Sequence, residues 1–266
     1  ARKTDAPLIV VCGVHFMGET AKILCPEKKV LVPDPTAGCS LADSQKAEDL
    51  LLWKQQHPDY TVISYVNTSA AVKALTDIVV TSSNALKIVN SLPKDEKILF
   101  GPDYNLGNYI NSLTGRQMEL WNGACHVHEK FSIEHLIELK NNYPNAKVLA
   151  HPECRGALLK LADVIGSTQA LLKEAINSDC KEFIVATESG ILHKMQVACP
   201  EKKFIPVRPE VTESGVSCAC NECNFMRQNT LEKLYLCLLN ETGEISVDPQ
   251  IAEQAVKPIE RMLALS

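Results

Sequence analysis

The chain has 266 residues, 45% of them hydrophobic and 22% charged, an ordinary globular composition that can bury a substantial core. A formal net charge of −5 argues against broad binding to nucleic acid or to an anionic membrane, both of which need a basic face. No apolar run approaches the roughly 18 residues of a membrane span and no signal peptide opens the sequence, so a cytoplasmic protein is expected, with no nucleic-acid or membrane partner.

Ala1 to Pro7 reads as the end of a helix running into a strand, without an initiator Met, and a further segment is expected before residue 1. The apolar runs then predict strands over Leu8–Cys12, Lys29–Val32, Thr61–Tyr65, Asp77–Val80, Lys97–Phe100, Gln117–Leu120, Lys147–Ala150, Asp163–Ile165, Phe183–Ala186 and Lys203–Val207. Between most of them lie helical patterns: Gly18–Leu24, Ala70–Leu75, Ser83–Ser91, Asn105–Thr114, Ile133–Asn141, Arg155–Leu161, Thr168–Asn177 and Gly190–Ala198. Leu231–Leu239 and Asp248–Leu265 read as closing helices. Strand–helix alternation at this spacing implies an α/β fold of parallel units.

The units repeat. Pro58-Asp-Tyr-Thr-Val-Ile-Ser-Tyr-Val-Asn67 aligns without a gap on Pro144-Asn-Ala-Lys-Val-Leu-Ala-His-Pro-Glu153, 86 residues on. The register continues through Ala71 and Ala157, Leu75 and Leu161, Asp77 and Asp163, and Thr81-Ser82 and Ser167-Thr168. Any two strand–helix units look somewhat alike, but a gapless register through two strands, two helices and their loops points to tandem duplication. A third copy is looser, carried by Cys25-Pro-Glu-Lys-Lys29 and Cys199-Pro-Glu-Lys-Lys203. The expected organisation is three αβα domains with short parallel sheets, related by a pseudo-threefold axis. The first comprises 1–39 with 224–266, the second 40–125 and the third 126–223.

Eleven cysteines, an odd number without a secretory leader, do not fit a disulfide framework. The repeat register sorts them: Cys39 falls on Cys125, each on a Gly-containing loop after a strand, and the matching loop of the third unit carries Cys218, Cys220 and Cys223. Three thiolates on three equivalent loops suit an iron–sulfur cluster with one iron open to act as a Lewis acid. Structural zinc normally takes closely spaced pairs, and only Cys220 and Cys223 are so spaced; a redox pair or an incidental pair in a loop is the other reading of those two. Cys12 and Cys237 are expected in the core, and Cys25, Cys154, Cys180 and Cys199, at element ends, are expected to pack.

The polar candidates stand at carboxyl ends of strands, where parallel sheets place ligands: Tyr65 and Asn67 in one repeat, His151 and Glu153 at the matching positions of the next. Thr81-Ser82 and Ser167-Thr168 open helices; either loop alone is best read as a simple cap, whereas their paired occurrence favours an anion site. His128, three residues past Cys125, would face the same centre, although a lone histidine is usually structural.

Together, Gly13-Val-His-Phe-Met-Gly-Glu-Thr-Ala-Lys22, Tyr65-Val-Asn-Thr-Ser69, Gly101-Pro-Asp-Tyr-Asn-Leu-Gly107, Cys125-His-Val-His128, His151-Pro-Glu153, Gly166-Ser-Thr168, Ala186-Thr-Glu-Ser-Gly190 and Asn229-Thr-Leu231 resemble the quinolinate synthases over essentially the whole chain. The resemblance implies a 4Fe–4S cluster at a central interface, held by Cys39, Cys125 and Cys223. The last is favoured over Cys220 because Met226 and Asn229-Thr230-Leu231 fix the alignment. It implies condensation of iminoaspartate with dihydroxyacetone phosphate to quinolinate, phosphate and water. An L-aspartate oxidase or aspartate dehydrogenase would supply the iminoaspartate. The implied pocket is Tyr65, Asn67, Ser82, His128, His151, Glu153, Ser167, Thr168 and Met226, with Glu153, His151 and Tyr65 in catalysis. The family's segment before residue 1 contributes further pocket residues. A pseudo-threefold iron–sulfur reductase and a non-catalytic metal-binding protein are the rival readings.

Overall fold

In the computed structural model, residues 1–210 and 221–266 are described; Cys218 and Cys220 lie outside them. The first elements are β1 (Leu8–Val10), α1 (His15–Leu24), β2 (Lys29–Leu31), α2 (Ser40–Asp43) and α3 (Ala47–Gln56). Then come β3 (Thr61–Tyr65), α4 (Ala70–Ala74), β4 (Ile78–Val80), α5 (Ala85–Ser91), β5 (Ile98–Gly101), α6 (Tyr104–Thr114) and β6 (Glu119–Leu120). The same series recurs as α7 (His126–Glu129), α8 (Ile133–Asn142), β7 (Lys147–Ala150), α9 (Gly156–Leu159), β8 (Val164–Ile165), α10 (Thr168–Asn177), β9 (Glu182–Ala186), α11 (Gly190–Ala198) and β10 (Lys203–Pro206). A 3-10 turn at Met226–Gln228, α12 (Leu231–Asn240) and α13 (Pro249–Leu265) close the chain.

Among the described residues the strands form three parallel sheets, ordered β1-β2, β4-β3-β5-β6 and β8-β7-β9-β10. Such sheets are covered on both faces, and their strands therefore read as continuous apolar runs rather than alternating ones. Val62, Ile63, Ile78, Val79, Leu99 and Phe100 are all buried, as are Val148, Leu149, Ile184 and Val185. Truncating a side chain such as Leu50, which packs with Val62, Val72 and Leu99, would cost about 2–5 kcal/mol.

The two four-stranded sheets share one topology, and the shared register is visible in side chains. The Asp77 carboxylate accepts from the Val62 amide at 2.8 Å, and Asp163 accepts from Val148 at 2.7 Å. Lys54 donates to the Leu75 carbonyl at 2.7 Å, and Lys140 to Leu161 at 2.9 Å. Helices α2 and α7, and α3 and α8, begin at matching positions, so Cys39 and Cys125 each stand immediately before a four-residue helix. A more limited likeness links the two-stranded β1–β2 ladder with β9–β10: Leu8 pairs Lys29 as Glu182 pairs Lys203. Lys22 bonds the Pro26 and Lys28 carbonyls, and Gln196 does the same for Pro200 and Lys202.

By internal contacts the chain forms two units. One is Ala1–Tyr104, Arg116–Gly123 and Asn224–Ser266; the other is Asn105–Gly115 and Ala124–Cys223. In the first, α13 starts at Asp248, whose carboxylate caps Gln250 and Ile251, and buries Ala255, Pro258, Ile259 and Met262; α13 lies against α4. No helix among the described residues is long and apolar enough to cross a membrane.

Two expectations are corrected. The strand predicted over Leu8–Cys12 stops at Val10, and Cys12 is exposed rather than in the core, because the backbone leaves the β1–β2 ladder before it. Helices α2, α3 and α7 carried no recognised pattern. In α3 the apolar run Leu50-Leu51-Leu52 buries only Leu50, which hides the helical period; α2 and α7 are single turns. Cys237, Cys25, Cys154 and Cys199 are buried as expected, while Cys180 is half-buried.

Candidate active site

The second unit gathers one carboxylate, two imidazoles and a thiol. β7 ends at Ala150, so His151 and Glu153 fall at the carboxyl end of a central strand; His151 is tied to β9 through its amide and the Ala186 carbonyl at 3.1 Å. α7 begins after Cys125 and brings His128 to the same place. His128 Nδ1 lies 2.9 Å from Glu153 Oε2, close enough for an ion pair though outside hydrogen-bond alignment. His151 Nδ1 lies 3.8 Å from Glu153 Oε1, and the two imidazoles stack at 4.6 Å. The ligating atoms of Cys125, His128 and Glu153 all lie within 4.8 Å of one another. His128, His151 and Glu153 are buried and Cys125 is half-buried.

Burial sets the charge state of His151. It lowers the imidazole pKa to about 4, against a raising influence of Glu153 and a further lowering one from His128. Geometry agrees, since Nδ1 accepts from the Glu153 amide at 3.4 Å and the ring proton must then sit on Nε2. His151 is therefore neutral near pH 7.

Two residues not singled out from sequence complete this group. Thr187, buried just past β9, places its hydroxyl 3.0 Å from His128 Nε2 and fixes that ring from its far side. Glu188 accepts from the Gly190 amide at 2.7 Å and from the Cys223 amide at 3.3 Å, so one carboxylate ties the start of α11 to the half-buried Cys223. The signal was available: both stand in Ala186-Thr-Glu-Ser-Gly190 at the carboxyl end of a strand. Ser167 caps α10 by accepting from the Ala170 amide at 3.3 Å, and Thr168 is the first residue of that helix.

In the first unit, Tyr65 is the last residue of β3 and buried, with Asn67 two residues on, half-buried. Ser82 follows β4 in a turn closed by Asn84, whose side-chain carbonyl accepts from the Thr81 amide at 2.7 Å. The loop to Cys39 is held by Asp34, whose carboxylate accepts from Lys233 and from the Thr36 hydroxyl and amide. Those hydrogen bonds, Lys233 first, lower the Asp34 pKa to about 2. The Asn229 side chain donates to the Gly13 carbonyl at 2.8 Å and accepts from the Asp34 amide at 3.3 Å. It thereby fixes the turn that carries Met226, which is exposed, beside that loop. Thus Cys125, His128, His151 and Glu153 are brought together within the second unit. Cys39, Tyr65, Asn67, Ser82 and Met226 belong to the first unit and are positioned by its own loops.

A family profile described as Quinolinate synthetase A protein matches residues 1–264. The quinolinate synthase of Chloroherpeton thalassium is 58% identical over the whole chain, which spans 81% of that relative's length. Those of Thermosynechococcus vestitus and Synechocystis are 55% and 54% identical, again over the whole chain and 82% of each relative. With a match at this level along its entire length, the chain belongs to the quinolinate synthase family.

Proposed function

We propose that this enzyme forms quinolinate by condensing iminoaspartate with dihydroxyacetone phosphate, releasing phosphate and water. The single observation that carries the reading is the buried Glu153–His128–His151 group beside Cys125, a proton-handling set next to a metal-binding thiol. The proposed cofactor is a 4Fe–4S cluster held by Cys39, Cys125 and Cys223, one from each of three αβα domains spanning 1–39 with 224–266, 40–125 and 126–223. The donor set fits: each of the three is half-buried, and Cys39 and Cys125 stand before matching short helices. When bound, such a cluster supplies a Lewis acid for the loss of a hydroxyl as water.

The chain's own groups do the rest. Glu153, a buried carboxylate between two imidazoles, takes and returns the proton that imine closure and tautomerisation displace. His128, steered by the Thr187 hydroxyl, keeps that carboxylate aimed. Neutral His151 offers its Nε2 proton as a hydrogen bond to a substrate oxygen. Tyr65 aids catalysis from the end of β3, with Asn67 beside it on substrate. The hydroxyls of Ser82, Ser167 and Thr168 and the amides of their turns receive carboxylate and phosphate oxygens. Met226 lies over the apolar part of the substrate. Iminoaspartate hydrolyses in water, so an L-aspartate oxidase or aspartate dehydrogenase in the same cytoplasmic compartment is the proposed supplier.

Anaerobic reconstitution with iron and sulfide tests the cofactor reading. The expected product holds equal iron and acid-labile sulfide, has the broad visible absorption of a cluster, and makes quinolinate without any electron donor. A chain that takes up zinc in preference, or turns over only with a reductant, would contradict it.

A further inference from the structure

An ammonium group inside a protein is costly unless partners replace its water. Lys73, on α4, is completely buried. Its Nζ donates to the Val66 carbonyl at 2.8 Å and to the Thr68 carbonyl, and lies 5.4 Å from the centroid of the Phe16 ring. Burial lowers its pKa to about 7, opposed by Glu19, whose own carboxylate accepts from the Ala70 amide at 3.0 Å. Such a group is retained at a cost, and what it touches indicates why.

The two carbonyls it binds flank Asn67. Thr68 closes the same turn, its hydroxyl donating to the Tyr65 carbonyl at 2.9 Å and its amide to the Val66 carbonyl at 2.9 Å. The turn after β3, with Tyr65 at its start and Asn67 at its middle, thus hangs on one buried amino group. The scaffold does not demand this. In the matching repeat the position of Lys73 is held by Leu159, and the turn after β7 closes through the Cys154 amide and the His151 carbonyl at 3.0 Å. The lysine therefore belongs to the β3 turn in particular and not to the architecture.

We infer that Lys73 is a positioning residue, whose buried amino group pins the Val66 and Thr68 carbonyls and so holds Asn67 in the one conformation that meets substrate. This rests on the reading of Asn67 as a substrate contact. It goes beyond that reading in assigning the geometry of the turn to a side chain beneath it.

The test uses the full-length, cluster-loaded enzyme with Lys73→Met, which keeps length and removes the donor. Amide exchange at Asn67, Thr68 and Ala70 is expected to speed up while the turn after β7 is unchanged. The value of kcat/KM is expected to fall about 10- to 100-fold, the scale of a small misplacement of a contact. Asn67→Ala should also be impaired, and the double variant should be no worse than Asn67→Ala alone, since Lys73 acts through Asn67. Lys73→Gln, a donor of shorter reach, should recover part of the loss, and it carries the test should the Met chain fail to fold. Unchanged exchange and kinetics in the Lys73 variants, with Asn67→Ala impaired, would overturn the role of Lys73. Multiplying losses in the double variant would do the same. Full activity in Asn67→Ala would instead remove the substrate contact on which the inference rests.

Discussion

Replacing Glu153 with Gln separates chemistry from architecture. The side chain is only 4% exposed, with its oxygens 2.9 Å from His128 Nδ1 and 3.8 Å from His151 Nδ1. The amide has nearly the same shape, and the matching position of the preceding repeat already carries one in Asn67, so the backbone should hold. What is lost is the carboxylate that serves as proton acceptor in the proposed reaction. A positioned acid–base group is worth about 10²–10⁴ in rate, or roughly 3–5 kcal/mol of barrier. The assay is quinolinate formation against pH for both proteins, with iron content and urea unfolding measured in parallel. Glu153→Gln should keep its iron, bind substrate with little change in KM, and lose the limb of the pH profile that follows carboxylate ionisation. Turnover within a few-fold of the parent, on an unchanged profile, would refute the argument and leave Glu153 a structural hydrogen-bond partner.

The remaining predictions are independent of that one. Cys39→Ser, Cys125→Ser and Cys223→Ser should each abolish cluster assembly, while Cys237→Ser, buried with its thiol donating to the Thr242 carbonyl, should keep its iron; a Cys223→Ser protein with full iron would displace the third ligand. Asp163→Ala removes the carboxylate that receives the Val148 amide and, because the residue is exposed, should cost about 0.5–1.5 kcal/mol by urea unfolding. Asp77→Ala removes the matching bond from the less exposed of the two residues, together with an ion pair to Lys54, and should cost at least as much; a clearly smaller loss would argue against solvent screening as the deciding difference. His151 makes the cluster-free protein acid-sensitive. Its folded pKa of about 4 lies below the ordinary 6.5, so the unfolded chain binds more protons in between. Stability should be fully present above about pH 6.5 and fall by on the order of 3 kcal/mol towards pH 4, and His151→Gln should flatten that slope.

Much of the fold was legible because parallel strands here are short apolar runs bounded by turn residues, as at Thr61–Tyr65 and Lys147–Ala150, where sequence and structure agree at both ends. The duplication was legible for a related reason: Asp77 and Asp163, or Lys54 and Lys140, make the same bonds at the same spacing. The fate of Cys12 was not legible, since strand propensity does not say where a ladder ends. Nor was α3, whose exposed Leu51 and Leu52 blur its period. At the site, Glu153 and His151 could be located from the repeat. Their pairing with His128 depends on α7, a single turn too short to show periodicity. Thr187, Glu188 and Lys73 act through hydrogen bonds to residues distant in sequence or to backbone carbonyls, and residue type alone does not disclose such bonds.

The most direct measurement is single-turnover formation of quinolinate from iminoaspartate and dihydroxyacetone phosphate by the anaerobically purified, full-length enzyme. One equivalent of phosphate should appear for each quinolinate, with no electron donor present, and the yield should scale with the iron–sulfur content of the preparation. Phosphate release without quinolinate, or quinolinate formed equally well by cluster-free protein, would contradict the account.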